Sequence, residues 1–148
     1  MKRQNLSECY HRRVNEMLVE RILAALPDTQ AIYLFGSATA DRLRDDSDID
    51  VAVLLPHARA KALGSLALSD LAFDLMKTLR RDVDLINLRQ VSSVLQKQVI
   101  ANGIVLFCAD EFAKDEFEML TISFYQKLNE ERARILEFFK EDKHIQRV

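Results

Sequence analysis

Apolar positions along the chain change period several times, and each change marks an element. From about Tyr10 to Leu26, residues Val14, Met17, Leu18, Ile22, Ala25 and Leu26 recur at helical spacing, and Pro27-Asp28 ends the run. Ala31–Phe35 is a short continuous apolar run, which predicts a buried strand. A polar excursion follows, and then Ile49, Val51 and Val53 alternate with Asp48 and Asp50 into a second strand that ends at Leu55. From about Ala58 to Leu79, Leu68, Leu71, Ala72, Leu75 and Leu79 form one helical stripe, with Gly64-Ser65 as a weak point inside it. Arg81 to Leu88 predicts a third strand, with Asp82, Asp84 and Ile86 on one face and Val83, Leu85 and Asn87 on the other. A short helix is predicted from Val91 to Ala101, closed by Asn102-Gly103, and Ile104 to Phe107 is a last apolar strand. About Asp110 to Asp142 reads as one long helix. Its stripe of Phe117, Leu120, Phe124, Leu128, Ile135 and Phe138 is widened by Met119, Ile122, Tyr125, Leu136 and Phe139. That is more apolar surface than one face hides, so closure over the sheet and contact with a partner both stay open. Helices alternating with strands make the fold class α/β, or α+β.

Composition narrows this picture little. A length of 148 residues predicts a single domain, with a core over about 10–109 and a C-terminal helical extension over about 110–148. Apolar residues at 49% and charged residues at 30% are ordinary for a globular chain. A net charge of −2 gives no electrostatic ground for direct nucleic-acid binding. Apolar runs are strand-sized and the N-terminus has no apolar signal segment, so no membrane association is expected. Cys9 and Cys108 fit neither a disulfide framework nor a zinc pattern, and the expected location is cytoplasmic.

The chemistry lies between Ala31 and Leu55. Asp48 and Asp50 project from one strand face, roughly 6.5–7 Å apart at the backbone, so both can reach one metal ion or a close pair. Two such carboxylates in a partly buried site repel each other unless a cation neutralises them. Gly36 lets the backbone approach a ligand closely, and Ser37 adds a hydroxyl and an N–H suited to phosphate oxygen. Asp45, Asp46 and Ser47 read as a solvated turn. The histidines His11, His57 and His144 lie in the flanks or just past a strand and receive no catalytic role. A phosphate cradle with metal-binding carboxylates is the equipment of phosphoryl or nucleotidyl transfer.

Gly36-Ser37, ten residues, then Asp48-Ile49-Asp50 resembles the G-S-x10-D-x-D signature of the polymerase-beta-like nucleotidyltransferase superfamily. The short chain is most similar to its minimal nucleotidyltransferases, the MNT proteins, which are commonly paired with a HEPN-domain ribonuclease toxin. The resemblance covers about Ala31 to Phe107 and implies a small mixed sheet of about four strands flanked by helices, with a long C-terminal helix. It implies a third carboxylate from the neighbouring strand, best matched by Asp84, with Asp82 as the fallback. Asp48, Asp50 and Asp84 are then the catalytic and metal-binding set for one or two Mg²⁺ ions, and Gly36 and Ser37 hold the phosphates of ATP. Family members often carry an arginine and a second glycine after the Gly-Ser pair. Here Ala38-Thr39-Ala40-Asp41 stands instead, with Arg42 and Arg44 nearby. The function implied is that of an antitoxin transferring AMP from ATP to a tyrosine hydroxyl of its HEPN toxin. The alternatives are an antitoxin that neutralises by binding alone, and a small-molecule nucleotidyltransferase working with a separate substrate-binding subunit.

Overall fold

The computed structural model describes residues 2–36 and 48–145, with side chains over 9–36 and 48–142. Helix α1 (Lys2–Ala25) begins earlier than its apolar spacing marks, because residues 2–9 contain neither Pro nor Gly to stop it. Its end is where the sequence put it: after Pro27-Asp28, the Thr29 hydroxyl donates to the Leu26 carbonyl at 2.7 Å and closes the turn. Strands β1 (Ala31–Phe35) and β2 (Ile49–Leu54) follow. The predicted helix over 58–79 is two helices, α2 (His57–Ala62) and α3 (Ser65–Leu79). Gly64 separates them in an extended conformation and serves as the N-cap of α3. Strand β3 (Val83–Asn87), helix α4 (Ser93–Asn102), strand β4 (Ile104–Cys108) and helix α5 (Glu111–Ile145) complete the chain.

The strands form one mixed sheet in the order β3-β2-β1-β4. β1 runs antiparallel to both β2 and β4, and β2 runs parallel to β3 through the α2–α3 crossover. Alternation assigns the two faces. Ile32, Leu34, Ile49, Val51, Val53, Val83 and Leu85 pack with Val14, Leu18 and Ile22 of α1 and Leu71 and Leu75 of α3. Ala31, Tyr33, Ala52 and Leu54 face the other way, against Val99 of α4 and Phe117 of α5. The Tyr33 hydroxyl donates to Glu118 Oε1 at 2.7 Å, which ties β1 to α5. Burial and the Glu118 carboxylate push the Tyr33 phenol far above its ordinary pKa, so it remains a donor.

Helix α5 closes over the sheet only near its start. Asp110 caps it by accepting from the Ala113 N–H at 3.0 Å, and Phe117 and Thr121 are buried. Leu120, Phe124, Ile135, Leu136, Phe138 and Phe139 are exposed. Among the described residues, no helix is long and apolar enough to cross a membrane.

Candidate active site

The site is assembled at the end of the sheet where β1 finishes and β2 and β3 begin. The D-x-D alternation puts Asp50 on the same sheet face as Ala52 and Leu54, and the isolating pleat puts Ile49 and Val51 into the opposite core. Asp48 precedes β2 with the same parity and is exposed. On β3, Asp84 is exposed between buried Val83 and Leu85.

Strand pairing then does what sequence spacing alone could only suggest. In the parallel β2–β3 ladder, Asp50 is the register partner of Asp84, so the two backbones lie about 4.8 Å apart with both side chains on one face. The Ile49 N–H donates to the Asp82 carbonyl at 2.8 Å, which fixes this register at the mouth of the site. Asp82, the fallback, therefore contributes its backbone to the strand pairing, while Asp84 is the residue set beside Asp50.

Gly36 completes the arrangement. It follows β1, whose last residue Phe35 is the register partner of Asp50, and has a φ of 75°. A Cβ built on Gly36 would overlap the Asp50 carboxylate, so any other residue there would strain the backbone and push that carboxylate aside. The sequence singled out Gly36 for closeness to a ligand; its contact with Asp50 was not anticipated. The signal that could have shown it is the pairing itself, a glycine ending one strand directly opposite the acidic end of the next. Ser37 lies outside the described residues, as do Arg42, Arg44, Asp45, Asp46 and Ser47.

The electrostatics are those of like charges brought together at a partly buried strand end. Asp50 has its pKa raised by burial, and the charges of Asp84 and Asp48 raise it further. Among the described residues, no three His, Cys, Asp or Glu side chains are grouped closely enough to cage a metal ion by themselves. Asp48, Asp50 and Asp84 thus do not form a closed cage; a pair of hard carboxylates would suit Mg²⁺, which is typically held by one or two carboxylates and completes its octahedron with water and substrate phosphates. Hard carboxylate oxygens, mutual repulsion that a cation relieves, and a side-chain-free approach at Gly36 together suit a Mg²⁺-bound nucleotide.

This fold and this acidic strand pair define a nucleotidyltransferase. The sequence profile of the family described as Polymerase beta, Nucleotidyltransferase matches residues 18–112, and the chain belongs to that family. It is 39% identical over 127 residues to the protein adenylyltransferase MntA of Shewanella oneidensis, covering 84% of this chain and 87% of the relative. Among solved structures, it resembles the MNT antitoxin bound to the tri-AMPylated Shewanella oneidensis HEPN toxin, with a TM-score of 0.70 and 34% identity over 85% of this chain and 95% of that one. A toxin–antitoxin complex with AMP-PNP superposes with a TM-score of 0.71 and 36% identity, covering 83% of this chain and 95% of that one. A third complex, MntA with its toxin, carries two aspartates spaced two apart that are both changed to glutamate. It matches with a TM-score of 0.70 and 34% identity, over 83% of this chain and 95% of that one.

Proposed function

We propose that this protein is an antitoxin that transfers AMP from ATP to a tyrosine hydroxyl of a cognate HEPN ribonuclease toxin, in a Mg²⁺-dependent reaction. The observation that carries this reading is the register of Asp50 against Asp84, with the Gly36 backbone seated on the Asp50 carboxylate. Kinship supports it: the relative at 39% identity is a protein adenylyltransferase, and one matching complex holds a tri-AMPylated toxin. The spacing of the two aspartates changed in the third complex is also that of Asp48 and Asp50.

In this reading Asp48 and Asp50 hold the metal-bound triphosphate, and Gly36 and Ser37 give its oxygens close access to backbone N–H groups. Bound Mg²⁺ supplies positive charge against the phosphates and eases ionisation of the acceptor hydroxyl. Asp84 is the exposed carboxylate on an edge strand, which suits an acceptor that arrives from solution. The acceptor oxygen forms a bond to the α-phosphorus, the bond from that phosphorus to the β-phosphate oxygen breaks, and pyrophosphate leaves with the electron pair. The hydroxyl proton departs to the carboxylate set or to water.

Helix α5 supports a protein as the acceptor. At 35 residues it is roughly 50 Å long, and its distal half exposes Ile135, Leu136, Phe138 and Phe139. An apolar face of this extent is a protein-docking surface, and we assign it to the toxin. Binding then contributes to neutralisation alongside catalysis.

The test is the intact mass of the cognate HEPN toxin after incubation with this protein, ATP and Mg²⁺, compared with the Asp48→Ala/Asp50→Ala variant. A gain of one or more AMP masses with the wild type and none with the variant is expected. No gain, with a tight complex still formed, would overturn transfer in favour of neutralisation by binding alone.

A further inference from the structure

Helix α5 carries a stripe that outlasts the fold it closes. Phe117, Thr121, Phe124, Leu128, Glu131, Ile135 and Phe138 follow one another at alternating steps of four and three residues, the spacing of a heptad seam. At its start the stripe is used by the sheet, where Phe117 and Thr121 are buried. Further along it runs on uncovered: Phe124, Ile135 and Phe138 are each more than half exposed. This uncovered part, from Phe124 to Phe138, is roughly 21 Å long.

We propose that the uncovered seam docks an amphipathic α-helix of the toxin, apolar along its own seam and acidic on its flanks. The inference rests on the toxin reading above and adds to it the kind of segment that binds. Three observations select this occupant. First, the spacing is that of a helical partner. A row that repeats every 3.5 residues offers knobs and holes to another helix, whereas a strand repeats every two residues and meets no matching row.

Second, the flanks carry one sign. The residues that border the seam between Phe124 and Phe138 are Tyr125, Lys127, Arg132 and Arg134, three cations and no carboxylate. Glu130 and Glu137 fall away from the seam. A second copy is therefore a poor occupant, because whichever way two α5 helices ran, flank cation would meet flank cation. A helix with aspartate or glutamate on its flanks meets opposite charge instead. Glu131, the one charge within the seam, fixes the register by facing a lysine or arginine of that helix.

Third, the seam begins at a cavity of the same sign. Where Leu120 and Phe124 leave the domain, a cavity of about 360 Å³ lies between α5 and α2, and Lys61 and Arg89 outnumber Glu116 on its walls. The end of the toxin helix seated there meets the same apolar floor and positive rim as the rest of it.

Calorimetric titration with the cognate HEPN toxin, without ATP so that the toxin stays unmodified, tests the flanks. Lys127→Glu/Arg134→Glu is expected to raise the dissociation constant at least about tenfold and to flatten its dependence on salt between about 50 and 300 mM. Lys127→Arg/Arg134→Lys, and Lys140→Glu on the opposite side of α5, should stay within about twofold of wild type. Circular dichroism confirms the fold of every variant. Photo-cross-linking from Phe124→benzoylphenylalanine and Phe138→benzoylphenylalanine tests the segment. The two are expected to label one continuous helical stretch of the toxin, at sites roughly 14 residues apart. Labels in separate segments, or on a second copy of this chain, overturn the proposal, and so does a dissociation constant that charge reversal leaves unmoved. The toxin mass assay keeps the two readings apart. AMP transfer with an unmoved dissociation constant removes the docked helix and leaves adenylylation standing, whereas the tenfold loss without any gain of AMP does the reverse. Absence of any complex removes both.

Discussion

Gly36 answers two demands with one missing methyl group. Its φ of 75° is a left-handed conformation that other residues rarely adopt, and the space its side chain would fill is taken by the Asp50 carboxylate. Gly36→Ala must therefore move either the turn or Asp50. A displacement of about 1 Å at a reacting centre costs on the order of 100-fold in rate. AMP transfer to the toxin is expected to fall by about that factor while the variant still melts cooperatively; transfer within about twofold of wild type would show that the contact is not needed. Asp50 itself allows a prediction with a sign. Burial, Asp84 and Asp48 raise its pKa, so the folded chain binds this proton more tightly than the unfolded chain does. Ionised Asp50 subtracts stability above that raised pKa, and the penalty is relieved as pH falls through it. Without metal, Asp50→Asn is expected to melt higher than wild type at pH 7. The gain is on the order of 2 °C, small because the side chain is only partly buried and solvent screens it, and it disappears on acidification. Calorimetry across pH checks this, and a lower melting temperature at pH 7 would contradict it.

At the scale of elements, period and punctuation carried most of what the sequence could say. The runs Ala31–Phe35 and Ile104–Cys108 are strands because nothing in them supports a turn, and Gly64 splits the predicted second helix because it was the weakest residue in it. The start of α1 was not legible, since residues 2–9 favour helix without contributing an apolar stripe. Nor was strand pairing: D-x-D fixes which face Asp50 takes, but only the β2–β3 ladder sets Asp84, and not Asp82, beside it. The surplus of phenylalanines on α5 was legible as a count, and the structure shows where the surplus lies. Phe117 is buried, whereas Phe138 and Phe139 are 66% and 57% exposed. Side chains that touch so little of their own fold contribute little to it. Phe138→Ser/Phe139→Ser is thus expected to leave the melting temperature within about 2 °C of wild type while weakening toxin binding at least about tenfold. Calorimetric titration with the toxin measures the second effect; unchanged affinity would place the toxin elsewhere.

For the molecule as a whole, the two ends of the sheet are built to opposite rules. At the end holding Asp48, Asp50 and Asp84, burial and neighbouring like charges raise the Asp50 pKa and cost stability locally, a cost that a bound cation would relieve. At the far end, just past β2, a single guanidinium ties four elements together. Arg89 Nε donates to the Leu55 carbonyl and its Nη2 donates to Gln30 Oε1 at 2.9 Å, just ahead of β1. Nη1 lies 3.2 Å from His57 Nε2 at the start of α2, and the group sits 5.4 Å from the centre of the Phe117 ring on α5. No sequence motif announces this, because each partner comes from a different part of the chain and two of the contacts are to backbone or amide oxygen. Burial lowers the Arg89 pKa, yet a guanidinium starts so high that it stays charged and keeps its donors. Arg89→Met preserves much of the apolar volume and removes every donor, leaving the Leu55 carbonyl without this partner; a loss of about 2–3 kcal/mol in unfolding free energy is expected. Arg89→Lys should recover less than half of it, since one ammonium cannot reproduce a planar fork that reaches two oxygen acceptors and the His57 ring at once. Because the far end holds no reacting group, AMP transfer per folded molecule should stay within about twofold of wild type in both variants. Urea unfolding alongside the toxin mass assay separates the two effects. A large loss of transfer in folded Arg89→Lys would mean that the two ends are coupled through the sheet, and that the rigidity supplied by Arg89 belongs to the chemistry as well as to the fold.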